Sequence, residues 1–504
     1  MSLATVYSRA QNGIEAPLVS VEVHLSNGLP RFSIVGLPEA AVKESKDRVR
    51  AALLSSNFDF PARRITVNLA PAELPKQGGR FDLPIALGLL VATKQLNALG
   101  INDYEFLGEL GLNGELRKTV GILPAAYACH LKGSKLITSI ENEDELEPIQ
   151  HAEFFCANHL LDVCAHLNKI KLLVKQTKNH QANFNQTFAS MNDVQGQARA
   201  KRALTIAAAG HHHVLMVGSP GSGKTMLASR FPSLLSLMSE QETLETCSLY
   251  SISNSQNNRI TPQTRPFRRP HHTVSPIGLA GGGSIPKPGE ISLAHNGVLF
   301  LDEFTEFTRQ SLEILREPIE TGKITISRAA AQVEFPARFQ LIAAMNPCQK
   351  GCDIDEYGQC ECSQEQLTRY RNKLSAPLLD RIDLQINVPK IPSRELFKQR
   401  VINNENWDVI KNKISQARNI QIDRQSKPNA MLEGEELNVV CDLDNNEIGN
   451  IIDMLEHLKI SARAFHKILK VARTIADLEG SEKIVRKHIA EAVSYRQLDK
   501  LLNI

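Results

Sequence analysis

No run of about 18 consecutive apolar residues occurs in this 504-residue chain, so a membrane-spanning helix is not expected. The opening stretch, MSLATVYSRAQNG, lacks a basic segment followed by an apolar one. It does not read as a secretory signal, and a cytoplasmic protein is expected. A disulfide framework is not expected either. The nine cysteines are an odd number, four of them crowd into one stretch, and the expected compartment is reducing. No segment repeats with the period of a solenoid or propeller. The formal net charge of +3 is too small to imply a nucleic-acid partner, so any basic surface has to be local. One absence is itself local. Residues 246–289 contain no Asp or Glu, although the chain holds 55 of them, and they do contain Arg259, Arg265, Arg268, Arg269 and Lys287.

What is present divides the chain. Residues 1–175 mix strand-like alternation (VSVEVHLSNG, RITVNLAP) with helical patterns (DLPIALGLLVATKQL) and read as an α+β domain. Residues 176–193, polar and rich in Asn and Gln, read as a linker. Residues 194–391 alternate short all-apolar runs (VLMV, VLFLDE, FQLIAAMN, IDLQINV) with helices, as parallel strands covered on both faces do. Residues 392–504 read as mostly helical. In AFHKILKVARTIADL, the residues Phe465, Ile468, Leu469, Ala472, Ile475 and Ala476 keep the spacing of one buried face.

The chemistry starts at GSPGSGKT, made of Gly218, Ser219, Pro220, Gly221, Ser222, Gly223, Lys224 and Thr225. It follows the strand VLMV and precedes the helical MLASRF. Glycines let a backbone wrap closely round phosphates. Lys224 would neutralise β/γ-phosphate charge, and the Thr225 hydroxyl would ligate Mg²⁺ of bound ATP. VLFLDE ends an apolar strand in Asp302, placed to hold Mg²⁺, and Glu303, placed to polarise water. Asn346 follows the next buried strand. It could orient that water, or serve as a turn residue before Pro347.

VLMVGSPGSGKT, ISLAHNGVLFLDEF, LIAAMNPC, LSAPLLDRIDL and ISARAFHKILKVARTIADLEG together resemble the AAA+ module of the magnesium-chelatase-like ATPases, and within them the ComM/YifB-type bacterial group. PFRRPHHT and GGGSIPKPGEISLAHNG resemble that group's most distinctive stretch. The resemblance covers nearly the whole chain. It implies an AAA+ P-loop module of α/β fold with a parallel sheet and helical lid. Asn346 is then sensor 1, Arg381 an arginine finger reaching a neighbouring subunit, and Arg463 sensor 2. It further implies a homo-hexamer that uses ATP and Mg²⁺ to move on single-stranded or branched DNA, with helicase action and branch migration serving natural transformation and recombination. A chaperone-like remodelling ATPase and a magnesium-chelatase-type subunit remain as alternatives. Against the latter, the chain has no integrin-type segment.

PKQGGRFDLPIALGLL and FLGELGLNGELRKTVGILPAAYACHLKG resemble the carboxy-terminal domain of Lon proteases. The resemblance places the serine position on Arg80 and the lysine position on Pro124, so the catalytic dyad is lacking. Arg63, Arg64 and Arg80 then read as a solvated basic face, with nucleic-acid contact as the alternative.

Cys348, Cys352, Cys360 and Cys362, spaced C-x₃-C-x₇-C-x-C, could hold one structural Zn²⁺ or remain free thiols. The acid-free stretch lies where magnesium-chelatase-like modules insert a loop facing the ring channel. GKITISRAAAQVEFPARF reads as a β-hairpin with Arg328 near its tip. Arg268, Arg269, Lys287 and Arg328 are therefore the candidate DNA contacts, gripping phosphates without reading bases. His271 and His272 are not expected to share a metal, because adjacent side chains on an extended chain face opposite ways.

Overall fold

A computed structural model gives the fold. It describes residues 2–97, 100–175, 188–253, 263–283, 286–328, 331–352, 360, 362–391, 406–442 and 462–496, with the backbone alone at 328, 331 and 462. The chain divides into two compact units, Met1–Asn183 with Ser239–Gln263, and Phe184–Met238 with Thr264–Ile504.

The first unit is built on a mixed seven-stranded sheet: β1 (Ser2–Arg9), β2 (Leu18–Ser26), β3 (Arg31–Val35), β4 (Arg64–Ala70), β5 (Tyr104–Phe106), β6 (Lys135–Ser139) and β7 (Phe154–Ala157). Their order is β3-β4-β2-β1-β5-β6-β7. Pairs β1–β2 and β2–β4 are antiparallel, and the rest are parallel. In β2 the alternating residues Val19, Val21, Val23 and Leu25 are buried, which is the period-two pattern of a strand with one face on the core. The helix Asp82–Ala92 (α1) is apolar nearly all round and lies on that face. A Cβ at its Gly88 would stand 2.6 Å from Val23 Cγ2, so only glycine permits this approach. A second helix, Ile122–Lys132 (α2), carries Pro124 in its first turn, where the missing N–H costs nothing.

The Glu240–Ser253 helix also belongs to this unit. The amide of Gly121 donates to the Ser251 carbonyl (3.0 Å), and the Ser251 hydroxyl donates to Glu145 Oε2 (2.8 Å). The sequence had placed this helix within 194–391. Its partners lie far away in sequence, so no local pattern marks the excursion.

The second unit holds the all-parallel sheet. Its strands are β8 (Val214–Val217), β9 (Phe267–Arg268), β12 (Val298–Leu301), β15 (Gln340–Met345) and β16 (Leu384–Asn387), in the order β9-β12-β15-β8-β16. Between them stand two antiparallel hairpins, β10 (Gly281–Gly282) with β11 (Lys287–Pro288) and β13 (Lys323–Arg328) with β14 (Ala331–Pro336). Helices Ala198–Gly210 (α3) and Lys224–Arg230 (α4) flank the sheet. Gln364–Arg371 (α5), Trp407–Gln425 (α6), Ala462–Leu478 (α7) and Arg486–Ser494 (α8) follow.

One apolar core joins sheet and late helices, with Leu204, Val214, Ile342 and Ile386 packed among Trp407, Ile414, Ile468, Leu469 and Ile475. Of the face read in α7, Phe465 is half-buried and the other five residues are buried. Truncating Ile468 to Ala would cost about 2–5 kcal/mol by the usual scale for core cavities. The linker expected at 176–193 falls outside the described residues up to 187. Beyond it, Met191 is already buried in this core.

Candidate active site

Strand β8 delivers the chain into residues 218–223 and then α4. The turn needs glycine for two separate reasons. Gly221 and Gly223 sit at φ of 78° and 95°, and a Cβ at Gly218 would lie 2.3 Å from the Val388 carbonyl oxygen. Lys224 Nζ donates to the carbonyls of Gly218 (2.8 Å) and Ser219 (2.9 Å) and to Asn346 Oδ1 (3.3 Å). Burial lowers the Lys224 pKa from its ordinary value, and the nearby Asp302 carboxylate opposes that shift. A cavity of about 380 Å³ opens here, bordered by Gly221, Lys224, Thr225, Asp302, Glu303 and Asn346. The hydroxyls of Ser219 and Ser222 are buried in this loop without a partner among the described residues.

Strands β12 and β15, adjacent in the sheet, bring the remaining groups to the same edge, where open parallel sheets bind ligands. The Thr225 hydroxyl donates to Asp302 Oδ2 (2.9 Å), which suits a shared divalent cation. Glu303 stands at φ 51°, a left-handed conformation that non-glycine residues enter only when the surroundings fix them. Its side chain is 58% exposed, so the carboxylate is reachable by water. The residues present therefore fit a nucleoside triphosphate with Mg²⁺. Thr225 and Asp302 would hold the metal, which would shield phosphate charge, and Lys224 would face the terminal phosphates.

Tyr370 on α5 was not singled out from the sequence. Its hydroxyl donates to the Asn346 carbonyl (3.1 Å) and accepts from the Thr305 hydroxyl (2.8 Å). It thereby ties the end of β15 to the segment after Glu303. Burial pushes the phenol up to about 12, so it stays a neutral clamp.

The structure corrects the reading of the arginine- and histidine-rich stretch. Arg268 donates two hydrogen bonds of 2.7 Å to Glu290, and Arg269 Nη2 donates to Asp302 Oδ2 at 2.7 Å. Both guanidinium groups are engaged by carboxylates, with Arg268 largely covered and Arg269 still 51% exposed. His272 Nδ1 lies 3.0 Å from Glu303 Oε2. The histidine rings are not on opposite faces. A turn closed by the Val274 amide on the His271 carbonyl (2.9 Å) brings their centroids to 4.2 Å. Lys287 is exposed on β11, and the Arg328 side chain lies outside the described residues. The two hairpins meet where a Cβ at Gly281 would come within 2.9 Å of Ile326 Cδ1.

Arg381 and Arg463 are brought together, but away from the nucleotide cavity. Both contact Glu320 Oε1, at 2.5 and 2.8 Å, beside a second cavity of about 410 Å³. Lys467 on α7 donates to the Arg381 carbonyl (2.9 Å) and to Asp383 (2.5 Å), so the late helices hold the arginine segment.

The four sulfurs of Cys348, Cys352, Cys360 and Cys362 all lie within 4.8 Å of one another. Tetrahedral zinc at the usual Zn–S length sets sulfurs roughly 3.8 Å apart. The cluster fits that ion with little adjustment. A Cβ at Gly351, inside this loop, would stand 2.6 Å from Pro220 Cδ, so the cysteine loop abuts the phosphate loop.

Arg80, read as surface charge, is buried. It donates to Gln11 Oε1 and the Val120 carbonyl, each at 2.7 Å, and burial lowers its pKa to about 10. It presents neither a basic face nor a nucleophile.

A five-stranded parallel sheet with a phosphate loop after β8, an Asp-Glu pair after β12 and an asparagine after β15 defines an AAA+ P-loop ATPase. The comparisons refine this class. The family profile "Magnesium chelatase, subunit ChlI" matches residues 190–396, "Subunit ChlI of Mg-chelatase" matches 21–142, and "Magnesium chelatase, subunit ChlI C-terminal" matches 404–496. The competence protein ComM of Haemophilus influenzae is 49% identical over 506 residues, covering 100% of this chain and 99% of that protein. YifB of Salmonella typhimurium is 47% identical, covering 100% of this chain and 98% of its own. At lower similarity, the DNA replication licensing factor Mcm6 of Anopheles gambiae is 24% identical over 42% of this chain. The chain belongs to the ComM/YifB-type group of magnesium-chelatase-like proteins.

Proposed function

We propose that this protein is an ATP-driven ring motor, a homo-hexamer that translocates on single-stranded or branched DNA. Its task would be helicase action and branch migration as incoming DNA is integrated. The observation that carries the ring is the placement of Arg381 and Arg463. Neither borders the nucleotide cavity of its own chain, which supports a role for both at a neighbour's site. Glu303 polarises the attacking water, Asn346 orients it, and the two arginines stabilise phosphate charge from across the interface. Lys287 on its hairpin, with Arg328 on the second, would contact the DNA backbone. The names of two relatives, a competence protein and a DNA replication licensing factor, support DNA as the partner.

The first unit would keep a Lon-like fold as a non-proteolytic scaffold, since Arg80 is buried and position 124 is proline. The cysteine cluster would hold one structural zinc and steady the loop after Asn346. No helix among the described residues is long and apolar enough to cross a membrane, in keeping with a cytoplasmic site of action.

The test is ATP turnover with no DNA and with single-stranded, duplex and branched DNA. Stimulation by branched or single-stranded DNA, with unwinding of a labelled junction, is expected. Turnover indifferent to every DNA would favour a chelatase-type or protein-remodelling role instead.

A further inference from the structure

Arg381 stands on a short arm, residues 380–383, between the Ala376–Leu379 helix and β16. Two cations from the late helices pin that arm. Lys467 Nζ, on α7, donates to the Arg381 carbonyl (2.9 Å) and to Asp383 Oδ1 (2.5 Å). Arg496, just after α8, donates from Nη1 to the Ile382 carbonyl (2.8 Å), and its Nη2 lies 3.8 Å from Asp380 Oδ1. Asp383 is buried, and its other oxygen accepts from the His213 amide (3.0 Å), which ties the ion pair to the start of β8. The Arg381 guanidinium bonds back to the Pro377 carbonyl through Nη1 (2.6 Å), so its position follows that of its own backbone.

Lys467 also follows Arg463 by four residues, so the two side chains share a face of α7. Arg463 and Arg381 in turn converge on Glu320 Oε1. Helix α7 therefore carries one guanidinium directly and the other through Lys467. Like charges this close repel, and their spacing persists only if both backbones are held. Lys470, the next cation on α7, is engaged on the Ala430 carbonyl (3.0 Å) and does not reach the arm.

We propose that Lys467 is a positioning residue for ATP hydrolysis. It fixes Arg381 beside Arg463 so that both guanidinium groups address one phosphate of the neighbouring subunit, with Arg496 as the second anchor of the arm. Lys467 itself touches no substrate. Without it the Arg381 carbonyl and Asp383 lose their common donor and the arm shifts. A displacement of ~1 Å at the guanidinium costs on the order of 10²-fold in rate.

This role rests on the reading of Arg381 as acting across a subunit interface, and Arg381→Ala is the control for that reading. Full-length Lys467→Met is compared with wild type, Lys467→Arg and Arg381→Ala. Turnover of Lys467→Met at saturating ATP should fall roughly 10- to 100-fold, the scale of lost charge-assisted hydrogen bonds. Binding of a fluorescent ATP analogue should stay within about twofold. Lys467→Arg, which still presents donors to the arm, should recover most of the rate. Mixed with Glu303→Gln, Lys467→Met should regain turnover as Arg381→Ala does, because the damaged arm is the one that serves a neighbour. Lys467→Met leaves Asp383 buried without its cation, so Lys467→Met combined with Asp383→Asn removes that cost should the single variant fail to fold. The same loss of turnover is expected of it. Wild-type turnover in these variants, ATP binding that weakens in step with turnover, or no regain in mixtures where Arg381→Ala does regain, overturns the positioning role alone. No regain by Arg381→Ala in rings shown to be mixed overturns the underlying reading.

Discussion

Arg381 and Arg463 meet on a single oxygen: Glu320 Oε1 lies 2.5 Å from the first guanidinium and 2.8 Å from the second. One carboxylate cannot neutralise two guanidinium groups, and the cavity beside them is lined by five cationic side chains, Arg338, Arg381, Arg463, Lys467 and Lys470, against three carboxylates, Glu320, Asp383 and Glu433. Arg381 Nε is moreover buried without a partner among the described residues. Such a site retains capacity for further negative charge, of the kind a neighbour's terminal phosphate would bring. Arg381→Ala should therefore abolish turnover while leaving ATP binding within about twofold. Mixed with Glu303→Gln, itself inactive, it should recover part of the lost rate, because some interfaces then pair an intact arginine with an intact base. Arg463→Ala should behave the same way. Mixed rings demonstrated by labelled subunits but lacking any recovery would place these arginines elsewhere.

Within one chain, Glu303 and Lys224 should fail differently. Glu303→Gln keeps size and shape but cannot take a proton, so turnover should fall by at least ~10²-fold with nucleotide binding retained. Lys224→Ala removes the cation lining the phosphate side and should weaken nucleotide binding itself. Equal loss of binding in both variants, measured with a fluorescent nucleotide, would contradict the division of labour.

The cysteine cluster gives a third outcome. Four sulfurs within 4.8 Å offer a closed site with no open position for chemistry, so the metal would be structural. Elemental analysis of protein purified without chelator should give about one zinc per chain. Stripping it should loosen the loop that abuts Pro220 and raise the KM for ATP. Metal-free protein with four freely reacting thiols in the native state would exclude the site.

Much of the nucleotide site was legible because its motifs are local. GSPGSGKT, VLFLDE and the asparagine after FQLIAAM each couple a strand end to a reactive group, and the fold only has to set those strands side by side. What escaped was pairing. Arg268 and Arg269 looked available because their neighbours carry no acid, but their partners lie just beyond the acid-free stretch, at Glu290 and Asp302. A segment without acids, bounded by two carboxylates on the next elements, was the signal. Arg80 misled for a related reason, since nothing around GGR indicates that Gln11 and Val120 will enclose it. Tyr370 and Glu320 act through contacts that only the tertiary structure creates.

The three consecutive histidines before β8 set an acid response. His213 is buried, and its Nδ1 accepts the amide proton of Leu341 at 3.0 Å, a bond that a proton on Nδ1 would break. Burial lowers its pKa to about 4, against an ordinary value of 6.5, and burial likewise lowers those of His211 and His212. A depressed folded-state pKa means that the unfolded chain takes up a proton the native state refuses. The stabilisation is therefore complete above about pH 6.5 and is lost as pH falls toward 4. For His213 alone, roughly 2 kcal/mol should disappear between about pH 7 and pH 5. Asp383, held well below the carboxylate range by Lys467 and His212 against the cost of burial, adds its own loss only at lower pH. The urea midpoint of the native protein should fall across this interval. His213→Asn, which keeps an acceptor but does not titrate, should start less stable and show a shallower decline. An identical slope in the variant, or a midpoint that rises on acidification, would show that His213 is not the group refusing the proton.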